Sequence, residues 1–385
     1  MKRTAGDERT TASAYSPGLR KWDLVKRCLQ PLGGLLAALI LALSCGVILG
    51  FIVLHQPTAL ITAIWHGAWG SLGSAAATLT KTPPLLLTGL AVAVAYRTGL
   101  LNIGCEGQLT LGALAAASVA VQAAGLPTVV LVPLTLATGA FAGGIWALPA
   151  VWLRQRRGVH EVISTLLLNY MAIYLAEYLV RGPLGDGSAM ARTPSIPAQA
   201  VLPALVEVGA LGVTAAPLLA LVLAIMAQGW FSWTIWGFEA TAVGSNSTAA
   251  ARAGIDVGRW RTRLFVTSGA LAGLAGALEV LAVHHRFYAA FSPGYGFDGI
   301  TVAFLVKGSP GWLWVSSLLL ATLRSADKWL QLALGISPSI ILIMIAILLL
   351  AVTCQSGWTR LAPKRVQNLL TASKELPLDT IHGDP

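Results

Sequence analysis

Tyr96-Arg-Thr-Gly-Leu-Leu-Asn-Ile-Gly-Cys-Glu-Gly-Gln108 interrupts two long apolar runs with an arginine, an asparagine, a glutamate, a glutamine and three glycines. Backbone at membrane depth has no water to bond, so a helix breaks there only where protein or a wet cavity takes over its hydrogen bonds. A carboxylate such as Glu106 is costly near a bilayer core unless it is paired, neutral or wetted. Two readings follow. Either two helices part here and a polar route begins, or the stretch is an ordinary turn joining two spans.

The surrounding composition puts these runs in a membrane. Of 385 residues, 56% are hydrophobic and 11% charged, with a mean hydropathy of +0.72. A soluble domain carries about 25% charged residues, so that class is excluded. Windows of about 20 apolar residues recur along the chain, as transmembrane helices require. The net charge of +10 does not point to nucleic acid, because Lys and Arg concentrate in the tails and a few short loops. That clustering is what the positive-inside rule expects. Cys28, Cys45, Cys105 and Cys354 form no CxxC pair, which argues against a disulfide framework or a zinc site.

The expected fold is all-α: a polytopic integral membrane protein of about eight to ten transmembrane helices. Residues 1–30 read as a cytoplasmic arm, too long and too charged for a cleaved signal peptide, which leaves the first span (32–54) as a signal-anchor. Residues 31–354 form the membrane domain and 355–385 a cytoplasmic tail. Further spans are expected at 83–96, opened by Pro83-Pro84 as a first helical turn, and at 109–123, 129–153, 162–179, 204–228, 264–283 and 339–352. Residues 61–79 read as an interfacial helix with Trp65 and Trp69 on one face. Region 298–335 reads either as two half-helices or as a span plus a re-entrant loop. With the N-terminus inside, most Lys and Arg fall inside, leaving Lys81, Arg181, Arg192 and Arg286 outside.

Residues 229–263 form the longest polar internal segment. Within it, Asn246 or Ser247 can cap a short helix from about Thr248, and Gly254 can end that helix in a left-handed cap. A helix so short and alanine-rich is small enough to enter a groove on another protein. The competing reading is a basic loop held to anionic lipid through Arg252, Arg259, Arg261 and Arg263.

Four stretches together resemble the permease subunits of ABC importers in the branched-chain amino acid, ribose and nucleoside group, nearest the nucleoside or simple-sugar branch. They are Gly99–Gln108, where Asn102, Ile103, Gly104, Glu106, Gly107 and Gln108 match the family pattern; Glu161–Tyr170; Val243–Ile255; and Gly294–Ala303. The departures are His160 for Asn, Ser247 for Pro and Arg252 for Tyr. The resemblance implies a type-II-like permease fold in the inner membrane, with both termini cytoplasmic. It implies two permease subunits, identical or homologous, an extracytoplasmic solute-binding protein and ABC ATPase subunits. It also makes Val243, Gly244, Asn246, Ala249, Ala250, Gly254 and Ile255 the helix that couples to the ATPase. The chain has no G-x-x-x-x-G-K-[ST] run, so ATP and magnesium are expected on the ATPase, with no cofactor in this chain.

Candidates for the route or its gate are Asn102, Glu106, Gln108, Thr165, Asn169, Tyr170, Tyr295, Phe297 and Asp298. For each a structural role competes: Glu106 bracing the turn against Arg97, Asn169 bonding a neighbouring helix, Tyr295 and Phe297 as interfacial aromatics. Arg324, Asp327 and Lys328 read as a self-paired cluster at a helix end. His284-His285, with no carboxylate at ligand spacing, reads as an interfacial pair, and no catalytic or metal constellation is expected. The rival class is an ion-coupled secondary transporter using Glu106 and Asp298, which predicts inverted repeats that the sequence does not display.

Overall fold

Serine and threonine caps and glycine-lined crossings set the helices of this chain. The computed structural model describes residues 40–361 except 41–42, 49–50, 52–54, 57, 209–210, 336 and 338. The expected N-terminal arm, the expected tail beyond residue 361 and most of the first expected span lie outside the described residues.

Helix α1 (Ala59–Trp69) is followed at once by α2 (Leu72–Tyr96), which Ser71 caps by accepting the Ser74 N–H at 3.1 Å. Pro83 and Pro84 therefore lie in the middle of α2 and not at its start. They are tolerated because this part of the helix is buried among neighbours. Thr82 and Thr88 also bond its carbonyls, at Thr78 (3.0 Å) and Pro84 (2.7 Å), as buried helices with proline permit. The expected interfacial helix at 61–79 is thus the end of α1 and the start of α2; Trp65 is exposed, whereas Trp69 turns inward to Thr322.

Helices α3 (Cys105–Gln122), α4 (Thr128–Arg157) and α5 (Glu161–Arg181) follow. A small antiparallel hairpin, β1 (Ala204–Val208) and β2 (Leu211–Thr214), precedes α6 (Ala216–Trp233). The span expected at 204–228 therefore begins later. Its first eleven residues are apolar enough to extend a hydropathy window, but β-branched Val206, Val208 and Val213 suit strands. Then come α7 (Ile235–Ser245), α8 (Ser247–Arg252) and α9 (Val257–Glu279), the last extended by a π-turn at Val280–His284. The chain continues through α10 (Tyr295–Leu305), α11 (Leu313–Ser325), α12 (Asp327–Leu334) and α13 (Ser339–Leu361).

Among the described residues five helices are long and apolar enough to cross a membrane, or six if the bent pair at 295–334 is one span. That bend measures 109°. At about 1.5 Å per residue, α10 is roughly 16 Å long and cannot cross a core of about 30 Å alone. It starts inside the bundle and ends beside Tyr96, whose ring meets Phe304 edge-on at 5.6 Å. Region 298–335 is therefore a half-helix that turns back into α11.

Helix α9 is the hub, packing against α2, α3 and α4. The approach is close because glycines face one another. A methyl group on Gly273 would strike the backbone of Gly139 and Gly143, and one on Gly112 would strike Gly273. Such small-residue contacts replace the hydrophobic drive that is missing between helices in lipid.

Candidate functional site

The break after α2 lies at the basic end of the bundle, and the chain then climbs back to begin α3 inside it. Two asparagines take over the backbone groups that the break frees. Asn102 Oδ1 accepts the Gly104 N–H at 2.9 Å, and its Nδ2 donates to Gln108 Oε1 and to Ser268 Oγ of α9, both at 2.8 Å. From α5, Asn169 Oδ1 accepts the Gly107 N–H while Nδ2 donates to the Ile103 carbonyl, both at 2.8 Å. Asn102, Gln108 and Asn169 are all buried. A break inside the bundle is stable here because every exposed backbone group named above has a side-chain partner.

Glu106 sits between two helix starts. It belongs to the first turn of α3, and its Oε2 accepts the N–H of Gly296, second residue of α10, at 2.7 Å. A carboxylate is favoured by the positive ends of both helices. Thr88 Oγ1 donates to the Tyr295 carbonyl at 3.0 Å, which ties α2 to the same start. Arg97 is not the partner of Glu106. It lies over the Phe231 ring, 5.0 Å from the centroid, and donates to the Gly308 carbonyl at 3.4 Å.

Asp298, one turn into α10, pairs with Arg324 of α11 at 2.7 Å, and both are buried. Lys81 of α2 donates to the Arg324 carbonyl at 2.6 Å. The cluster expected at 324–328 is thus divided, because α11 runs back along α10 and presents Arg324 to Asp298. His284 differs from expectation for another reason. The π-turn places residues five apart on one side, and His284 Nε2 stands 3.3 Å from Glu279 Oε2. At this end of the bundle, the 182–203 loop is held by Asp186. Ser188, then Arg192, hydrogen-bond its carboxylate and push it down to about 2.

The structure therefore gathers Asn102, Glu106, Gln108, Thr165, Asn169, Tyr295 and Asp298 around the break and the half-helix. Thr165 is spent on the Glu161 carbonyl at 2.7 Å. Phe297 is partly exposed at the rim, and Tyr170 points outward, 54% exposed, away from the group. Ser268 and Thr88 were missed because each bonds across more than 160 positions. Removing the acceptor tests Glu106: Glu106→Ala leaves the Gly296 N–H buried and unpaired, at about 1–3 kcal/mol. The expected result is a lower melting midpoint for Glu106→Ala and a near-parental one for Glu106→Gln, which keeps an acceptor.

The segment before α9 is built from local caps. Thr234 caps α7, Asn246 Oδ1 accepts the Ala249 N–H at 3.0 Å to cap α8, and Asp256 caps α9. Gly254 has φ +84°, with Ile255 N–H on the Ala250 carbonyl and Gly254 N–H on that of Ala251. This is a Schellman stop. Val243 and Ala250 are buried, whereas Ala249 is exposed on the outer side of α8. Gly244 abuts the break itself: a methyl group on it would strike the Arg97 carbonyl and approach the Gly99 N–H. The two most informative stretches of the sequence touch.

The family described as the permease component of branched-chain amino acid transport systems matches residues 74–353. The chain belongs to this family: it is the membrane permease subunit of an ABC transporter, without enzymatic activity of its own. It is 35% identical over 329 residues to the permease protein of a guanosine ABC transporter of Bacillus subtilis, covering 82% of this chain and 91% of that one. A glucose ABC transporter permease protein of Haloferax volcanii is 37% identical over 281 residues, 71% of this chain and 74% of the relative. A nucleoside ABC transporter permease protein of Lactococcus lactis is 29% identical over 321 residues, 80% and 87% of the two chains.

Proposed function

We propose that this permease carries nucleosides inward. The observation that supports this most is the match to the guanosine permease protein, which covers 91% of that chain and 82% of this one. In this reading both termini and α7–α8 face the cytoplasm, in a bacterial inner membrane, since Arg154, Arg156, Arg157 and Arg259 cluster with that end. A solute-binding protein delivers the nucleoside to the opposite end, and two permease subunits, identical or homologous, enclose the route. ATP and magnesium bind the ATPase subunits, and α8 enters a groove on them.

The chemistry suits an uncharged, hydroxyl-rich solute. Glu106 accepts the Gly296 N–H and Asp298 pairs with Arg324, so each acid at the centre already has a partner. An ion-coupled carrier would need one of these acids free to bind and release its ion. ATP binding at the partner shifts the subunit between outward- and inward-open packings, to the extent that the partner binds one packing better.

The test is uptake by proteoliposomes holding the permease, its ATPase and its binding protein, with labelled guanosine or adenosine and ATP inside. Competition by nucleosides and none by glucose or leucine is the expected result. Competition by glucose alone would replace the nucleoside with a simple sugar, and uptake that needs an ion gradient and no ATP would overturn the reading altogether.

A further inference from the structure

We propose that a groove between α4 and α9, at the basic end of the bundle, is a binding site for an anionic phospholipid. The groove is open to its surroundings, holds about 580 Å³ and is lined by Ile145, Leu148, Pro149, Trp152 and Arg156 of α4 with Thr262 of α9, among others. That volume lies within the usual range for small-ligand sites.

Its two ends differ chemically. Ile145, Leu148 and Trp152 are exposed apolar side chains, about 11 residues or roughly 16 Å along α4 from first to last lining position. The part nearest Ile145 lies inside the span, where a soluble partner has no access and an acyl chain does. Pro149 lacks an N–H, so the helix cannot donate there and the Ile145 carbonyl loses its usual partner. The other end is polar and positive. Gln155 bridges the helices through the Gly258 carbonyl (2.9 Å) and Thr262 Oγ1 (3.0 Å), and so closes the floor.

Arg154 is already paired with Glu161 at 3.1 Å, and Arg259 with Asp256 at 3.5 Å. Arg156 and Arg157 are exposed and have no ion-pair partner among the described residues. Arg156 lines the mouth of this apolar trough and Arg157 is its exposed neighbour in sequence, a pair of cations that matches a phosphate diester above an acyl chain. Basic pockets between membrane helices on the cytoplasmic side bind such headgroups, at about 1 kcal/mol per cation near the surface. Guanidinium also offers the fork that phosphate oxygens accept. A zwitterionic lipid fits the apolar part equally but brings its own ammonium to the mouth, where like charge disfavours it. The site lies apart from the residues gathered around the break.

The experiment uses the purified transporter in nanodiscs of phosphatidylcholine containing one fifth phosphatidylglycerol. Retained lipid is counted by native mass spectrometry after transfer to detergent. The expected result is retention of phosphatidylglycerol over phosphatidylcholine by at least fivefold, lost in the double variant Arg156→Gln/Arg157→Gln and intact in Arg181→Gln at the opposite end. Both arginines are exposed, so the double variant folds, and an unchanged elution profile verifies that. Equal retention of the two lipids, or full preference in the double variant, overturns the proposal. So does a Trp152→Cys protein that cross-links to a second copy, because the groove is then a subunit interface.

Discussion

A Gly244→Val permease is expected to assemble with its ATPase and to let it hydrolyse ATP, while solute uptake falls at least tenfold. The added side chain has nowhere to go on one side, because even a methyl group meets the Arg97 carbonyl and approaches Gly99. The helix carrying it, α7, must then lift away from the start of the break. The outer surface of α8, with Thr248, Ala249 and Ala251 exposed, is untouched, so docking survives. In the proposed reading, what is lost is the contact by which α7–α8 would act on Arg97, which itself touches Phe231 and Gly308. Uptake divided by ATP hydrolysed is the measurement, with Gly244→Ala expected in between. Parental uptake by the valine protein would show that coupling takes another path.

Gly273→Leu should prevent folding of the membrane domain. A Cβ there would meet the Gly139 carbonyl and the Gly143 backbone, both of α4, so any side chain forces α9 away from α4. Overpacking of a close-packed core costs about 1–3 kcal/mol where neighbours can give, and backbone cannot. The expected readout is loss of the monodisperse peak in size-exclusion chromatography, with rescue impossible by substitution at Ala277 alone. A stable, monodisperse Gly273→Leu protein would contradict the crossing described.

Asn246 and Gly254 were readable as the ends of a short helix because a cap reaches only three or four positions along the chain, and both form as expected. Hydropathy located the helices spanning 128–157 and 161–181 to within a few residues, and 257–279 with its start seven residues late. It failed at 204–214, where apolar strands look like apolar helix, and at Pro83-Pro84, where burial outweighs the local preference for a helix start. The oddity of Glu106 was visible from composition alone, but its partner was not. Arg97 is nearer in sequence, yet the donor to its carboxylate is the Gly296 N–H, 190 positions away.

Thus the sequence by itself determined that the chain is a polytopic helical membrane protein, where its backbone breaks, where its short internal helix begins and ends, and which family it belongs to. These properties rest on apolar run length, on caps and on motif residues, all local. Only the tertiary structure decided that Asn102 and Asn169 brace the break, that α10 is a half-helix locked by Asp298 and Arg324, and that Gly244 leans on Arg97. Those contacts depend on how α9 crosses α2, α3 and α4, and that crossing is set by glycines whose pairing across the bundle no spacing along the chain discloses.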